Sequence, residues 1–178
     1  GRLFSWNRYL VHTSDILPHL VHEHQAGFVN RTVKAIYDTR HYLAVGKGGL
    51  SPAHAAEVAK LAASITRYIL FADEVPLPNG GVGGDPAFKA DFLRRARKTA
   101  AGTSLREFDL RNRLFKHRCS YMIHTPSFQG LPPVLKTAVL QRMHRALNAT
   151  RPDPAYAYLP PTEKAAIANI LKATLKGW

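Results

Sequence analysis

From residue 14 to residue 45 the chain keeps a helical apolar rhythm, and a stretch of that length leaves few architectures open to it. At about 100° per residue, Leu17, Leu20, Val21, His24 and Phe28 share one stripe. Val29, Val33, Ile36 and Leu43 then take over on a stripe turned by about 100°, so one long helix is expected to bury different faces against different neighbours. Ser14 and Asp15 supply N-cap and first-turn chemistry, Pro18 falls in the first turn where its missing N–H is harmless, and Gly46, Gly48 and Gly49 stop the helix. A second helix is marked by Ser51 as cap and Pro52 at its first position, with Val58, Leu61, Ile65, Tyr68 and Ala72 as its seam. Its alanines would let another helix approach closely.

Two prolines and four glycines in Glu74–Asp85 read as a long surface loop. Asp85-Pro86 then caps a basic helix expected to run to about Ala101, with Phe88, Phe92 and Ala96 on its inner side. Ser104 and Glu107 have capping-box spacing, which predicts a further helix carrying Leu105, Phe108, Leu114 and Phe115. Cys119–His124 is too short to distinguish helix from strand. From Pro132 the rhythm returns in Leu135, Val139, Met143 and Leu147. A last helix from about Pro161 to Leu175 turns Ile167, Ile170, Leu171 and Leu175 inward, after an irregular link holding Pro152, Pro154, Pro160 and Pro161. The expectation is an all-α irregular bundle of five or six helices with one long N-terminal helix. Residues 1–178 would form a single helical domain: a neutral, His-rich helical pair over 1–73, the loop over 74–85 and a basic helical part over 86–178.

The 178 residues carry a formal charge of +13, and the surplus is unevenly placed. Residues 1–88 hold 8 Lys+Arg and 7 Asp+Glu, whereas residues 89–178 hold 17 and 5. Such asymmetry attracts anionic partners to one part of a molecule. Six of the nine histidines, His12 to His54, lie in the other part. No apolar run approaches the roughly 18–20 residues of a membrane span, so a bilayer-spanning role is not expected. Gly1–Tyr9 has neither an apolar h-region nor a small-residue cleavage site, and the chain is read as a processed product or a piece of something longer. Cys119 is the sole cysteine, which leaves no internal disulfide, no CxxC metal knuckle and no CxxCH haem-attachment site.

The segment Pro18–Gln25 concentrates the candidate chemistry. A helix places His19 and His22 together on a flank, beside Glu23, and turns His24 into the apolar stripe. The segment is not HExxH, nor does it hold the Glu-x-x-His pair of a ferritin-like di-iron site. His24 has two roles open to it: an axial haem ligand, or a core histidine hydrogen-bonded within the fold. His19 and His22 are either a weak metal pair or a solvated flank. Arg94, Arg95, Arg97 and Lys98 recur three to four apart on an expected helical side, and with Arg111, Arg113, Lys116 and Arg118 they form a candidate face for an anionic partner. That partner could be nucleic acid, though no helix-turn-helix spacing, zinc finger or aromatic platform accompanies the stripe. The glycines of Asn79–Gly84 lack the following Lys-Ser/Thr of a P-loop, and spacing alone gives Cys119 no base for a thiolate mechanism.

Several short motifs together resemble a known protein region. These are Arg8-Tyr9-Leu10, His12-Thr13-Ser14-Asp15-Ile16, Glu23-His24-Gln25, Asn30-Arg31, Ser104 to Leu110, Arg113-Leu114-Phe115, Cys119 to Ile123 and the closing Gly177-Trp178. They resemble the C-terminal helical region of long exported bacterial proteins described as uncharacterised or as cytochrome c domain-containing. The resemblance implies one module of a larger periplasmic or extracellular redox protein whose covalent haem lies elsewhere. It also implies that Glu23, His24 and Gln25 are the shared cofactor-proximal trio, with His19 and His22 peculiar to this sequence. The leading expectation is therefore a non-catalytic helical module that supports haem or docks a redox partner. In it His24 ligates or lies beside the haem, and the basic face of 89–118 meets an acidic protein or the haem propionates. The alternatives are a nucleic-acid-binding module using the same basic segment, and a metal-dependent oxidoreductase built on His19, His22 and Glu23.

Overall fold

The structure is a computed structural model that describes residues 5, 8, 15–148 and 153–178. Six α-helices succeed one another along the described residues: α1 (Ile16–Val45), α2 (Pro52–Ile69), α3 (Pro86–Arg94), α4 (Pro126–Gln129), α5 (Pro133–Asn148) and α6 (Pro161–Thr174). Short 3-10 turns occupy Tyr121–His124 and Pro154–Tyr156. Helix α2 lies at the centre, packed against α1 on one side and α5 on the other, with α6 against α5. The all-α expectation holds, long first helix included.

Local chemistry sets the helix starts. Asp15 Oδ1 accepts the Leu17 amide at 3.0 Å and caps α1, while Ser14 falls outside the described residues. The second carboxylate oxygen of Asp15 accepts the Asp85 amide at 2.7 Å, and Asp85 in turn caps α3 through the Phe88 amide at 2.7 Å. Two helix origins 70 residues apart are thus tied through one carboxylate. Ser51 caps α2 through the His54 amide, with Pro52 at the first position.

The apolar stripe of α1 does not rotate as its sequence suggests. Leu17, Val21, His24, Phe28, Thr32, Ala35 and Thr39 are its buried residues, a single continuous face, and Val33 is 42% exposed. Small residues succeed large ones along that face, and the Thr32 hydroxyl is satisfied by returning to the helix backbone at Phe28 O, 3.1 Å, whereas the buried Thr39 hydroxyl has no partner among the described residues. In α2, Val58, Ala62, Ile65, Thr66 and Ile69 are buried, with Leu61 and Tyr68 half-buried beside them. The stripes expected of α5 and α6 are buried as expected.

Two further expectations need correction. Helix α3 ends at Arg94 instead of continuing to Ala101. Beyond it Thr99 and Thr103 close a tight turn through their backbone and hydroxyl groups, with Gly102 at φ 82°, and such local bonding competes with helix. Ser104–Phe115 is not a helix either. The Ser104 amide does donate to the Glu107 carboxylate at 2.7 Å, so half of the capping box forms. Asp109, however, accepts the Arg111 amide, Leu110 turns at φ 63°, and the chain folds back so that Phe108 bridges Phe115. An Asp bonded to the backbone two residues on starts a turn where helix continuation would need an i+4 bond. The Gly/Pro loop pairs with the tip of this hairpin: Leu77 and Val82 amides donate to Asn112 O and Leu110 O at 2.9 and 2.8 Å. Gly81 (φ 73°) permits the approach, because a Cβ there would lie 2.2 Å from Leu110 O.

Candidate functional site

His24 sits in the core of α1, 7% exposed, and its Nε2 lies 2.7 Å from Ser120 Oγ. Ser120 is fully buried; its amide donates to Ile69 O at 2.7 Å and its hydroxyl oxygen accepts the Met122 amide, capping the 3-10 turn. The imidazole stacks on Phe71 (centroids 4.8 Å, 13°) and runs parallel to Tyr68 (5.4 Å, 5°), with Phe115 edge-on at 5.7 Å. Burial holds its pKa down at about 4, so the ring is neutral at physiological pH. Gln25 Nε2 donates to Tyr121 Oη at 2.7 Å, and Tyr68 Oη donates to the His24 carbonyl at 3.0 Å. Neighbours of Ser120 in the chain therefore lock α1 from one side while α2 locks it from the other.

This geometry decides between the two roles open to His24. An axial ligand must turn a ring nitrogen lone pair toward iron, with room for the macrocycle beyond it. Here Nε2 faces a buried hydroxyl, and three aromatic rings pack around the imidazole. The arrangement does not fit iron ligation through Nε2. Glu23 is exposed, as are His19 and His22, and among the described residues no group of three His, Cys, Asp or Glu side chains converges to hold a metal ion.

A cavity of about 520 Å3 opens between α1 and the C-terminal end of α2. That volume falls within the roughly 300–1,000 Å3 of ligand cavities. His24, Tyr68 and Phe71 supply its aromatic wall, and Arg31, Arg67, Asp73 and Glu74 supply charge around it. Arg31 lies over the Tyr68 ring at 4.2 Å and donates to Gly27 O at 3.1 Å, whereas Arg67 is paired with Asp73. Phe71 reaches the wall from a left-handed backbone (φ 55°), a conformation unfavourable for a bulky residue and often found where a side chain is aimed for use. Glu74 is part-buried, and burial raises its pKa against the opposing pull of the Leu114 amide and of Arg113 and Arg118. Of these wall residues, sequence reasoning singled out His24 for function and Tyr68 only as packing; Phe71, Arg31, Arg67 and Glu74 were not identified as a site. They share no motif, and helix register relates only His24 to Arg31, on α1; Tyr68 meets them from α2 through tertiary packing.

The basic segment is not the continuous helical stripe its spacing suggests, because α3 ends at Arg94 and leaves Arg95, Arg97 and Lys98 on the chain that follows. Five of the ten cations of residues 89–118 are paired with carboxylates. Arg94 and Arg95 both pair with Asp91, Lys116 with Glu107 at 2.8 Å, Arg118 with Glu163 at 2.6 Å, and Arg113 with Asp109 and Glu163 at 3.4 and 3.7 Å. Arg97, Lys98 and Arg111 are exposed and have no ion-pair partner among the described residues. Cys119 is wholly buried and its thiol is pushed far up by burial, the environment of a packing residue. Among the described residues no helix is long and apolar enough to cross a membrane. No protein-family model, curated protein or solved structure matches this chain.

Proposed function

We propose that the chain is a non-catalytic helical module of an exported redox assembly, and that its working site is the cavity between α1 and α2. The observation that carries the reading is the cavity wall itself: three nearly parallel rings, His24, Tyr68 and Phe71, beneath an exposed guanidinium, Arg31. A planar, carboxylate-bearing group suits such a wall, through stacking on the rings and a charge-assisted bond from arginine. In the redox setting implied by the sequence resemblance, that group is the edge of a haem carried by another part of the assembly. His24 then serves as neutral, rigid backing for the cavity and ligates nothing. A nucleic-acid reading gains less from the geometry, since five of the ten cations of residues 89–118 are already paired with carboxylates and the segment is not one continuous helical stripe.

The test is redox titration of the natively purified assembly carrying Arg31→Gln. A cation beside a haem edge favours the reduced, more negative state, so its removal lowers the reduction potential. An unchanged potential and Soret band in Arg31→Gln and in Phe71→Ala would sink the reading.

A further inference from the structure

Beside Tyr121 lies a smaller hollow, of about 100 Å3, lined by three arginines: Arg95, Arg97 and Arg106. Tyr121, His124 and Thr125 complete its polar lining, and none of its lining residues is acidic. The nearest carboxylate partner is Asp91, which pairs with Arg94 and, at 3.4 Å, with Arg95. Arg97 has only a long contact to Thr174 O, at 3.5 Å. Arg106 is held in place from behind: its guanidinium lies over the rings of Phe92 and Tyr121 at 4.7 and 4.6 Å and donates to Phe92 O at 3.1 Å. Burial pulls its pKa down, and Arg95 adds to that pull, so the resting hollow concentrates positive charge at a cost. His124 adds no further cation. Burial, Arg97 and Arg106 hold its pKa at about 4, and its Nε2 lies 3.1 Å from Thr174 Oγ1, a hydroxyl that itself donates to Ile170 O, so Nε2–H is the donor.

We propose that this hollow is a binding site for a tetrahedral oxyanion of the phosphate or sulfate class. One guanidinium fork held in place before the ligand arrives, Arg106 against the Phe92 and Tyr121 rings, with two further guanidiniums on the same hollow, is suited to charge-assisted bonds to such an anion. The small volume favours one compact group over an extended acidic surface. Arg95 and Arg106 also line an adjoining hollow of about 260 Å3, walled by Phe88, Phe92 and Gln25 with Asp91 as its one carboxylate, where the uncharged body of a phosphomonoester has room. The site is separate from the α1–α2 cavity and does not depend on the redox reading.

The test is titration with inorganic phosphate near neutral pH, ionic strength held constant with chloride, followed by nitrogen–proton correlation of the arginine Nε–Hε groups. Saturable shifts are expected at Arg95, Arg97 and Arg106 and not at Arg67. Each charge-assisted bond to an anion is worth about a tenfold change in affinity or more, so Arg97→Gln should weaken phosphate by at least about tenfold. Arg97 makes little contact within the fold, which keeps that variant folded, and circular dichroism checks it. Lys98→Gln, an equal charge change outside the hollow, should leave affinity intact. Phenyl phosphate binding more tightly than phosphate identifies an ester ligand; equal affinity identifies the free anion. Unsaturable shifts, equal losses from Arg97→Gln and Lys98→Gln, or acetate binding as tightly as phosphate would each overturn the assignment.

Discussion

His24 Nε2 and Ser120 Oγ meet at 2.7 Å across 96 residues of sequence, and through them the core of α1 is pinned to the segment that enters the last three helices. A buried imidazole without a partner would carry the full desolvation penalty of its polar atoms. The serine removes that penalty and at the same time caps the turn Tyr121–His124. One hydroxyl thus joins tertiary packing to local structure.

Ser120→Ala should therefore destabilise the protein by about 1–3 kcal/mol, the range for leaving a buried polar group unsatisfied. His24→Phe alone should also be destabilising, since it strands the Ser120 hydroxyl and adds volume. In the double variant the two losses should fall short of their sum, because each single change removes the same bond. Urea denaturation of the four proteins checks the cycle; strict additivity would show that the 2.7 Å contact contributes nothing.

Acid should weaken the fold through the same ring. His24 in the folded chain has its pKa lowered from 6.5 to about 4, and the cause is burial. As pH falls below 6.5 the unfolded chain takes up the proton first, so stability rises with pH in this window. The contribution is fully present above pH 6.5, declines as pH falls, and stops declining below about pH 4, where both states are protonated. Its full size is on the order of 3 kcal/mol. Unfolding free energy measured from pH 7 to pH 4 should show this slope in the wild type and a smaller one in His24→Phe. Equal slopes would place the acid sensitivity elsewhere, with His124 the next group to examine, since its pKa is lowered in the same sense.

The helices were legible in the sequence wherever caps and rhythm agreed. Asp85-Pro86 and Ser51-Pro52 start helices as expected, and Leu135, Val139, Met143 and Leu147 are buried as their spacing requires. The two lost helices share a cause: side chains that bond nearby backbone. Thr99 with Thr103, and Asp109 with the Arg111 amide, end or replace helices that apolar spacing alone would continue. Val33 failed differently: Thr32 and Ala35, which the apolar stripes did not include, take the core face because their small size suits a close helix contact. Of the candidate site, His24 was visible from its place on an apolar stripe. Its partner was not, since nothing local to Cys119-Ser120 points to α1. The oxyanion hollow was only half visible: Arg95 and Arg97 stood out as charge, but Arg106 looked like one more surface cation until Phe92 and Tyr121 enclosed it.

Cys119 gives the sharpest check on the proposal of a non-catalytic module. Thiolate is the reactive form, and a wholly buried thiol with a strongly raised pKa supplies almost none at neutral pH. Alkylation by iodoacetamide should therefore be negligible in the folded protein and should follow the unfolding transition when urea is added. Cys119→Ser, which places a hydroxyl in the same packed position, should cost stability by about 1–3 kcal/mol without altering phosphate binding at the arginine hollow. Rapid labelling in native buffer would show that the segment Cys119–Ser120 opens readily. The His24–Ser120 pin would then be too transient to back the cavity as a rigid wall.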